Sequence, residues 1–307
     1  MKTDSVLEKV LSSGNLAVTS ECGPPRGAAV DKVKKKAKLL EGVVDAVNIT
    51  DNQTAMVRMS SFAAGVFLRQ MGLHPILQMV TRDRNRLAMQ ADIIGAYAHG
   101  IDTMLCLSGD HPHFGDHPMA ANVHDIDSIQ FIQMVRQMRD EGTFQGGAEI
   151  DQPPKMFIGA AANPFADPFE LRVARLAKKV AAGVDFIQTQ CIYNLEKFEQ
   201  WMEGVCGRGL HEKCAILAGI TPMKSAGMAR YMKNKVPGMD VPQELVDRMA
   251  GVPKEKQAEE GIKICVESMQ RLKEVKGVAG FHIMAIEWEQ KVSEIVEKAG
   301  LLPRPEV

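Results

Sequence analysis

Residues 167–191, DPFELRVARLAKKVAAGVDFIQTQC, contain one helix followed by one strand and decide the fold class. Asp167-Pro168 supplies a helix cap and a first-turn proline for a helical pattern over 167–182. That pattern ends at Gly183, and the strand candidate at 185–191 begins two residues later. A helix closed by glycine and followed at once by a short apolar strand is typical of an α/β protein.

The same unit recurs along the whole chain. Strand candidates lie at 16–22, 43–50, 75–81, 102–109, 156–162, 185–191, 215–221 and 278–285. Helical patterns lie at 29–40, 60–71, 84–99, 126–141, 167–182, 195–206, 224–235, 242–250, 256–275 and 288–299. Eight strand-then-helix units predict an α/β fold, a (β/α)8 TIM barrel that forms a single domain over 1–307. The alternative, a doubly wound open sheet, lacks a G-x-G-x-x-G motif after the first strand.

Composition excludes several function classes. The chain has 307 residues, 45% of them apolar, with 37 Lys plus Arg against 38 Asp plus Glu. That balance argues against a dedicated nucleic-acid binder, and no apolar run approaches the roughly 20 residues of a membrane span. None of the six cysteines forms a C-x-x-C pair, so we expect free thiols and a cytoplasmic protein.

Two amides on the sixth strand are candidate binding groups. The period of two places Phe186, Gln188 and Gln190 on one face of the strand, and Ile187 and Thr189 on the other. An unpaired buried amide costs about 1–3 kcal/mol, so these side chains need partners. A ligand with amide-like edges would satisfy them, and so would hydrogen bonds to neighbouring strands.

Two acids lie where catalytic groups of a TIM barrel are found, at the carboxyl ends of strands. Glu21 ends the first strand, and Asp110 follows the fourth in a Gly-Asp-His-Pro turn. Burial at an apolar barrel mouth favours the neutral form of a carboxyl group, which suits a proton donor. The alternative role for either acid is to cap the next helix.

Other chemistries have weaker support in the sequence. His111, His113 and His117 lie near Asp110 and Asp116, which leaves a metal-assisted lyase or hydrolase as an alternative. Their spacing matches no recognised ligand set, so we predict no metal site. Cysteines at 22 and 191 are possible nucleophiles near the mouth, but neither has a basic partner in the sequence.

Taken together, the strand-end motifs resemble those of the flavin-dependent methylenetetrahydrofolate reductases. The resemblance extends from the first strand to Phe281-His282 and follows the family's order. The motifs are Glu21-x-x-Pro24-Pro25-Arg26, Asn48-Ile49-Thr50, Leu107-Ser108-Gly109-Asp110-x-Pro112, Ala182-Gly183-x-Asp185-Phe186-x-x-Thr189-Gln190 and Ala218-Gly219-Ile220-x-Pro222.

The resemblance implies a flavin, FAD or FMN, that reduces 5,10-methylenetetrahydrofolate to 5-methyltetrahydrofolate. It assigns Glu21 as the acid that assists ring opening and Asp110 as the group that tunes the flavin and stabilises the cationic intermediate. Gln190 holds the pterin, with Thr50 and Asp110 as further substrate contacts. The implied flavin contacts are Thr50, Leu107, Ser108, Gly109, Asp110, His124, Ala161, Arg175, Lys179 and Ile187.

The chain also departs from better-known bacterial members of that family. Ser108 replaces an arginine, Ala161–Pro164 lack an aromatic residue, and Ala285–Trp288 replace a Thr-Leu-Asn-Arg sequence. These changes affect contacts to the outer half of the flavin and to the folate tail or the nicotinamide. They allow FMN in place of FAD, and a donor other than NAD(P)H, such as an electron-supplying partner subunit. We also expect an oligomer, or a barrel kept mainly as the docking subunit of a redox complex.

Overall fold

The computed structural model describes residues 1–307, and eight parallel strands in sequence order close into one barrel. The strands are β1 (Ala17–Cys22), β2 (Ala46–Ile49), β3 (Pro75–Val80), β4 (Thr103–Leu107), β5 (Phe157–Ala162), β6 (Phe186–Cys191), β7 (Ala215–Ile220) and β8 (Val278–Ile283). Closure between β1 and β8 pairs Ala17 with Gly280 and Ser20 with Ile283. The predicted (β/α)8 barrel is confirmed, each strand lying within its predicted range.

Eleven helices surround or plug this barrel. They are α1 (Val6–Ser12), α2 (Val30–Lys38), α3 (Ser61–Gln70), α4 (Arg86–Ala98), α5 (Ser128–Arg136), α6 (Leu171–Ala182), α7 (Leu195–Gly207), α8 (Ala226–Lys235), α9 (Gln243–Ala250), α10 (Gln257–Lys273) and α11 (Val292–Lys298). A cluster of 53 buried apolar residues fills the layer between strands and helices. None of these helices is both long and apolar enough to cross a membrane. All six cysteines are free thiols.

Two helix predictions are wrong at their ends. Helix α6 begins at Leu171, four residues after Asp167, and no side chain caps it, so Asp167-Pro168 belongs to the preceding loop. The helical pattern at 126–141 is α5 followed by a single π-helical turn over 137–141. Gly183 does close α6 in the left-handed region, with φ of 107°.

The lower half of the barrel interior, at the amino ends of the strands, is apolar and filled. Phe157 and Phe186 stack there with ring centroids 5.2 Å apart, and the Phe186 ring covers Gly159, where a Cβ would lie 2.2 Å from it. Helix α1, which the sequence analysis missed, inserts Leu7 and Val10 into the same cluster and closes that end.

The upper half of the interior, at the carboxyl ends of the strands, is polar. Buried side chains there include Thr19, Asn48, Gln78, Gln188 and His282, contributed by five different strands. Above them the interior opens into a cavity rather than a packed layer. The barrel therefore places its polar groups and its free space at the end where TIM barrels carry their chemistry.

Candidate functional site

The cavity at the barrel mouth has a volume of about 380 Å³, within the range of small-molecule sites. Glu21 and Gln190, far apart in sequence, both line it. The other lining residues are Gln78, Leu105, Leu107, Ala161, Ala162, Asn163, Gln188, Thr189, His282 and Met284. A larger cavity, of about 510 Å³, lies outside the barrel among lysine and glutamate side chains of α10 and contains no strand-end residue.

Glu21 is held against a histidine that the sequence analysis did not assign to the site. The Glu21 side chain is 15% exposed, and its Oε1 lies 3.6 Å from Nε2 of His282. On the other side of the ring, Nδ1 of His282 lies 2.9 Å from Oγ1 of Thr19. The alternation of β8 was the available signal, since it places His282 on the inward face.

Gln188 is satisfied by neighbouring strands and does not require a ligand. Its Nε2 donates to Oγ1 of Thr19 and to Oδ1 of Asn48, both at 3.1 Å. Nδ2 of Asn48 donates back to Oε1 of Gln188 at 2.6 Å. For this amide the alternative of hydrogen bonds to neighbouring strands is correct.

Gln190 also lines the cavity, and it lies at a β-bulge. The register of β6 against β7 shifts between Gln188 and Cys191, where a Cβ on Gly219 would lie 2.2 Å from the carbonyl oxygen of Thr189. Gln190 faces the cavity as predicted, whereas Thr189 also lines the cavity at this bulge, contrary to the prediction. The Gln190 Oε1 accepts from the backbone N–H of Cys191 at 3.0 Å, while its Nε2 donates to no protein atom.

Asp110 does not join Glu21 in the cavity. Its side chain is exposed, so the expected burial of this acid is wrong. The carboxylate accepts from the backbone N–H of Thr54 at 2.9 Å and so ties the loop after β4 to the loop after β2. The buried Arg82, another residue that sequence reasoning missed, donates to the carbonyl of Asp110 at 2.8 Å and is paired with Asp83.

Backbone strain is concentrated in loops at the mouth. Five non-glycine residues have positive φ angles, and all of them follow β2, β4 or β8. These residues are Asn52, Thr54, Ala55, His124 and Glu287. Strained conformations of this kind are retained where surrounding contacts hold them, and they cluster at functional sites.

The residues that the resemblance assigns to a flavin differ in where the structure places them. Leu107 and Ala161 line the cavity, and Gly109, with φ of 88°, packs so closely on Val80 that a Cβ would lie 3.0 Å from that side chain. Thr50 is buried, and its Oγ1 has no hydrogen-bond partner. Ser108 and His124 lie on the loop after β4, where Nδ1 of His124 is 3.3 Å from Oγ1 of Thr81. Ile187 is fully buried in the layer between strands and helices, so its side chain does not reach the mouth.

Arg175 and Lys179 line a second, smaller cavity beside the first. It has a volume of about 80 Å³ and shares the wall Ala161–Asn163 with the mouth cavity. Lys179 is buried and donates to the carbonyl of Ala161. Burial, together with the nearby Arg175, lowers the pKa of Lys179 to about 8.

The histidine side chains of the loop after β4 make contacts within the protein. Nδ1 of His117 lies 3.0 Å from Asp116, which also pairs with Arg26, and Nδ1 of His111 accepts from the backbone N–H of His113. No three His, Cys, Asp or Glu side chains in residues 1–307 are arranged to hold a metal ion. Burial raises the pKa of the Cys22 and Cys191 thiols to about 12, which keeps both protonated and removes them as nucleophiles.

Two lysines hold the segment 285–289 after β8, where the sequence differs from the better-known members of the family. Nζ of Lys224 donates to the carbonyls of Ile286 and Glu287 and lies 5.7 Å from the centroid of the Trp288 ring. Lys36 pairs with Glu287 and Glu289. These contacts hold the loop against the loop after β7 and against α2.

Comparison with known protein families gives a match along nearly the whole chain. The family model described as methylenetetrahydrofolate reductase matches residues 6–300. A probable methylenetetrahydrofolate reductase (NADPH) from Caenorhabditis elegans is 23% identical over 80% of the chain, and methylenetetrahydrofolate reductase 1 from Schizosaccharomyces pombe is 29% identical over 47%. The chain spans about a third and about a quarter, respectively, of the length of these two relatives.

A solved structure shares the fold across nearly the whole chain. It is an uncharacterised protein from Clostridium thermocellum that binds two copies of 5-methyl-5,6,7,8-tetrahydrofolic acid. The TM-score is 0.64 with 14% identity, and the match covers 96% of this chain and 98% of that one. At that identity the likeness concerns the fold alone, whereas the family model covers almost all of the sequence. The chain therefore belongs to the methylenetetrahydrofolate reductase family, a family of oxidoreductases.

Proposed function

We propose that this chain binds a flavin at the barrel mouth and interconverts 5,10-methylenetetrahydrofolate and 5-methyltetrahydrofolate. The observation that carries the proposal is that Glu21 and Gln190 line one cavity of about 380 Å³ with His282 directly behind Glu21. An acid and a free carboxamide facing the same space supply proton transfer and orientation, the two functions that this reaction requires of the protein. The names of the matched relatives and the folate bound by the Clostridium thermocellum protein support it.

Glu21 is the proton donor in this proposal. Opening the five-membered ring of the methylene folate breaks the carbon bond to N10, and a proton must be delivered to that nitrogen. Glu21 is the one carboxylic acid that lines the cavity. Loss of the N10 bond leaves a cationic iminium at N5, which then accepts hydride. His282, fixed by Thr19, orients the carboxyl group and is a positioning residue.

Gln190 and Gln78 orient the substrate. The Nε2 of Gln190 has no partner in the protein, and the side chain of Gln78 makes no hydrogen bond although it lines the cavity. A pterin edge presents amide-like donors and acceptors that complement two carboxamides. Leu105, Leu107 and Met284 supply apolar surface for a flat ring system.

The residues present fit a flavin. The buried Oγ1 of Thr50 lacks a partner, and Gly109 gives the loop after β4 a surface without a side chain. Leu107 and Ala161 give apolar contact, and Arg175 and Lys179 offer positive charge beside the mouth. When bound, the flavin supplies the hydride that the folate accepts. NAD(P)H or a protein electron donor, either alone or as a partner subunit, would reduce it.

A single-turnover experiment tests the proposal without knowledge of the natural donor. The purified chain is loaded with flavin, reduced photochemically without oxygen, and mixed with 5,10-methylenetetrahydrofolate. We expect the yellow colour to return at the rate at which 5-methyltetrahydrofolate forms. Reduced flavin that stays colourless for hours with excess substrate, or a chain that takes up no flavin at all, would contradict the proposal.

A further inference from the structure

Glu21 and His282 are the two titratable side chains that line the mouth cavity. Oε1 of Glu21 lies 3.6 Å from Nε2 of His282, and the two side chains are 15% and 4% exposed. Cys191 of β6 is close enough to interact with the charge of Glu21, but burial raises the pKa of its thiol to about 12 and keeps it neutral. The other residues that line the cavity carry no charge. The group that can exchange a proton with Glu21 from within the barrel is therefore His282.

Thr19 determines which nitrogen of His282 carries a proton. Its Oγ1 accepts from Nε2 of Gln188 at 3.1 Å and donates to the carbonyl of Phe281 at 3.4 Å. The same Oγ1 lies 2.9 Å from Nδ1 of His282. A hydroxyl has one proton to donate and two lone pairs to accept with, so all three hydrogen bonds form together only when Nδ1–H donates to Thr19. The neutral ring then has no proton on Nε2, the nitrogen that faces Glu21.

This tautomer makes the space between Glu21 and His282 a binding site for one proton. An ionised carboxylate and an unprotonated Nε2 are both acceptors, so they repel each other until a proton lies between them. With the proton on Glu21 the acid donates to Nε2, and with the proton on His282 the imidazolium donates to the carboxylate. In either form a hydrogen bond replaces the repulsion, and a closely coupled pair of this kind titrates as one unit.

We propose that Glu21 and His282 hold the proton for N10 jointly, with His282 fixed by Thr19 as the Nδ1–H tautomer. The inference rests on the proposed function and adds a second proton carrier, because His282 does more than orient Glu21. In water an isolated carboxyl group loses its proton at about pH 4.3 and an imidazole at about pH 6.5. The pair therefore keeps a transferable proton at a pH where a carboxyl group alone is ionised. Thr19 is fully buried and does not line the cavity, so it is a positioning residue that acts through His282.

Water is the only proton source that one turnover requires. As the bond between the methylene carbon and N10 breaks, N10 keeps the bonding electrons and takes the proton from Glu21. The pair is left as a carboxylate that faces an unprotonated Nε2. When the product leaves, water enters the cavity and returns one proton to the pair. In the reverse direction the pair receives the proton of N10 and releases it to water.

The first test is the pH profile of flavin reoxidation by 5,10-methylenetetrahydrofolate, measured with the photochemically reduced, flavin-loaded chain. His282→Asn cannot carry the shared proton, so the pH above which the rate falls should be about 1–2 units lower than in the wild type. Thr19→Val releases the ring from the Nδ1–H tautomer and should move the profile in the same direction. It should also slow reoxidation about tenfold at neutral pH without changing the KM for the folate.

Two further variants separate the hydroxyl of Thr19 from its packing. Thr19→Ser keeps the hydroxyl and should restore the wild-type profile. Thr103→Val removes a buried hydroxyl from the amino end of β4 and is the matched control, with an unchanged profile.

Nitrogen NMR of the flavin-free chain, containing nitrogen-labelled histidine, tests the tautomer independently of activity. The signals of His282 are those that disappear in His282→Asn. In its neutral ring we expect a protonated Nδ1 and an unprotonated Nε2, whereas the exposed His113 should show Nε2–H, the tautomer that predominates in water. Thr19→Val should shift His282 toward that tautomer, and Thr19→Ser should not.

A neutral His282 protonated on Nε2 in the wild type, or pH profiles that coincide in the wild type and His282→Asn, would overturn the shared proton and leave the flavin proposal intact. A wild-type chain whose reduced flavin never reoxidises with the folate would overturn the proposed function and the role of the pair together. The NMR spectrum decides the tautomer in either case.

Discussion

The two halves of the barrel interior are built from the same strands but differ in chemistry. In the lower half Phe157, Phe186 and Leu217 pack with α1 in one apolar cluster. In the upper half Asn48 and Gln188 bond to each other beneath an open cavity. Along β6, Phe186 packs its ring in the lower half, and two residues later Gln188 pairs its amide with Asn48. Two residues further on is Gln190, whose amide nitrogen has no partner in the protein. The fold is stabilised in the lower half, and ligand chemistry is left to the upper half.

The Asn48–Gln188 pair lies between these halves and belongs to the scaffold. Its hydrogen bonds, including the one to Thr19, are made within the protein. Thr19 in turn holds His282, so the paired layer supports the residue next to Glu21. Substitutions should accordingly affect stability in the lower half, both stability and activity in the middle layer, and chiefly activity at the cavity.

The largest effect is expected at Glu21. Glu21→Gln cannot deliver a proton, so reoxidation of the reduced flavin by methylene folate should slow by about 10²- to 10⁴-fold. Reduction of the flavin and the melting temperature should not change, because Glu21 contributes little to packing. Stopped-flow absorbance measures both half-reactions, with the exposed Glu41→Gln as control. Equal slowing of reduction and reoxidation would remove the proton-donor role.

A change of similar size, in the free energy of unfolding, is expected when Phe186 is substituted. Phe186→Ala should lower the stability by about 3–5 kcal/mol, because it removes a fully buried ring that stacks on Phe157. The paired control is Gln78→Ala, which removes a side chain of the upper half that makes no hydrogen bond. We expect Gln78→Ala to lower the free energy of unfolding by less than about 1 kcal/mol, as measured by urea denaturation. Equal losses would mean that both halves act as packed core.

An intermediate effect on stability is expected in the paired layer. Gln188→Leu leaves the buried Asn48 amide without its partner and should cost about 1–3 kcal/mol. Adding Asn48→Leu replaces both partners and should recover part of that loss. A double-mutant cycle of denaturation midpoints measures the coupling. Strict additivity would show that the two amides do not depend on each other.

A smaller effect, on substrate binding, is expected at Gln190. Gln190→Ala removes a carboxamide whose nitrogen is free in the protein, so the KM for methylene folate should rise about tenfold to a hundredfold. Flavin should remain bound, and the melting temperature should fall only slightly, because the Cys191 N–H loses the Gln190 Oε1 acceptor. Gln152→Ala, at an exposed position, is the control for steady-state kinetics. Release of flavin from Gln190→Ala would place the amide against the cofactor instead.

The smallest effect is the pH dependence of flavin binding. With the pKa of Lys179 lowered to about 8, the protonated fraction of its amine falls between pH 7 and 9, and the affinity for a flavin whose phosphate lies beside this amine should fall by up to about tenfold. Lys179→Gln should remove that dependence. The free energy of unfolding should change in the opposite direction, because Lys179 keeps its proton to higher pH in the unfolded chain than in the folded chain. The flavin-free protein should therefore gain stability as the pH rises from about 8 toward 10.5.

The sequence predicted the barrel because each of the eight strands is a short apolar run between helical segments. It missed α1, a seven-residue helix whose buried Leu7 and Val10 are too few to make a periodic pattern. It also misplaced the start of α6, because a cap and a proline preceded the helix by several residues. Local signals of this kind identify an element but not its first residue.

The site was predicted in part. Glu21 and Gln190 were identified from their places at strand ends, and they line one cavity. The roles of Gln188, Asp110 and His282 depend on contacts with residues 48, 54 and 21, far away in sequence, which no local pattern encodes. The bulge before Cys191 likewise depends on a glycine in the adjacent strand.

The most direct measurement is an anaerobic titration of the flavin-loaded chain with 5-methyltetrahydrofolate, followed by visible absorbance with no other donor present. We expect the methyl folate to bleach the flavin and to be converted to the methylene form, because the acid, the amide and the cofactor share one barrel mouth. An unchanged spectrum at saturating methyl folate, with the same flavin readily bleached by a chemical reductant, would contradict it.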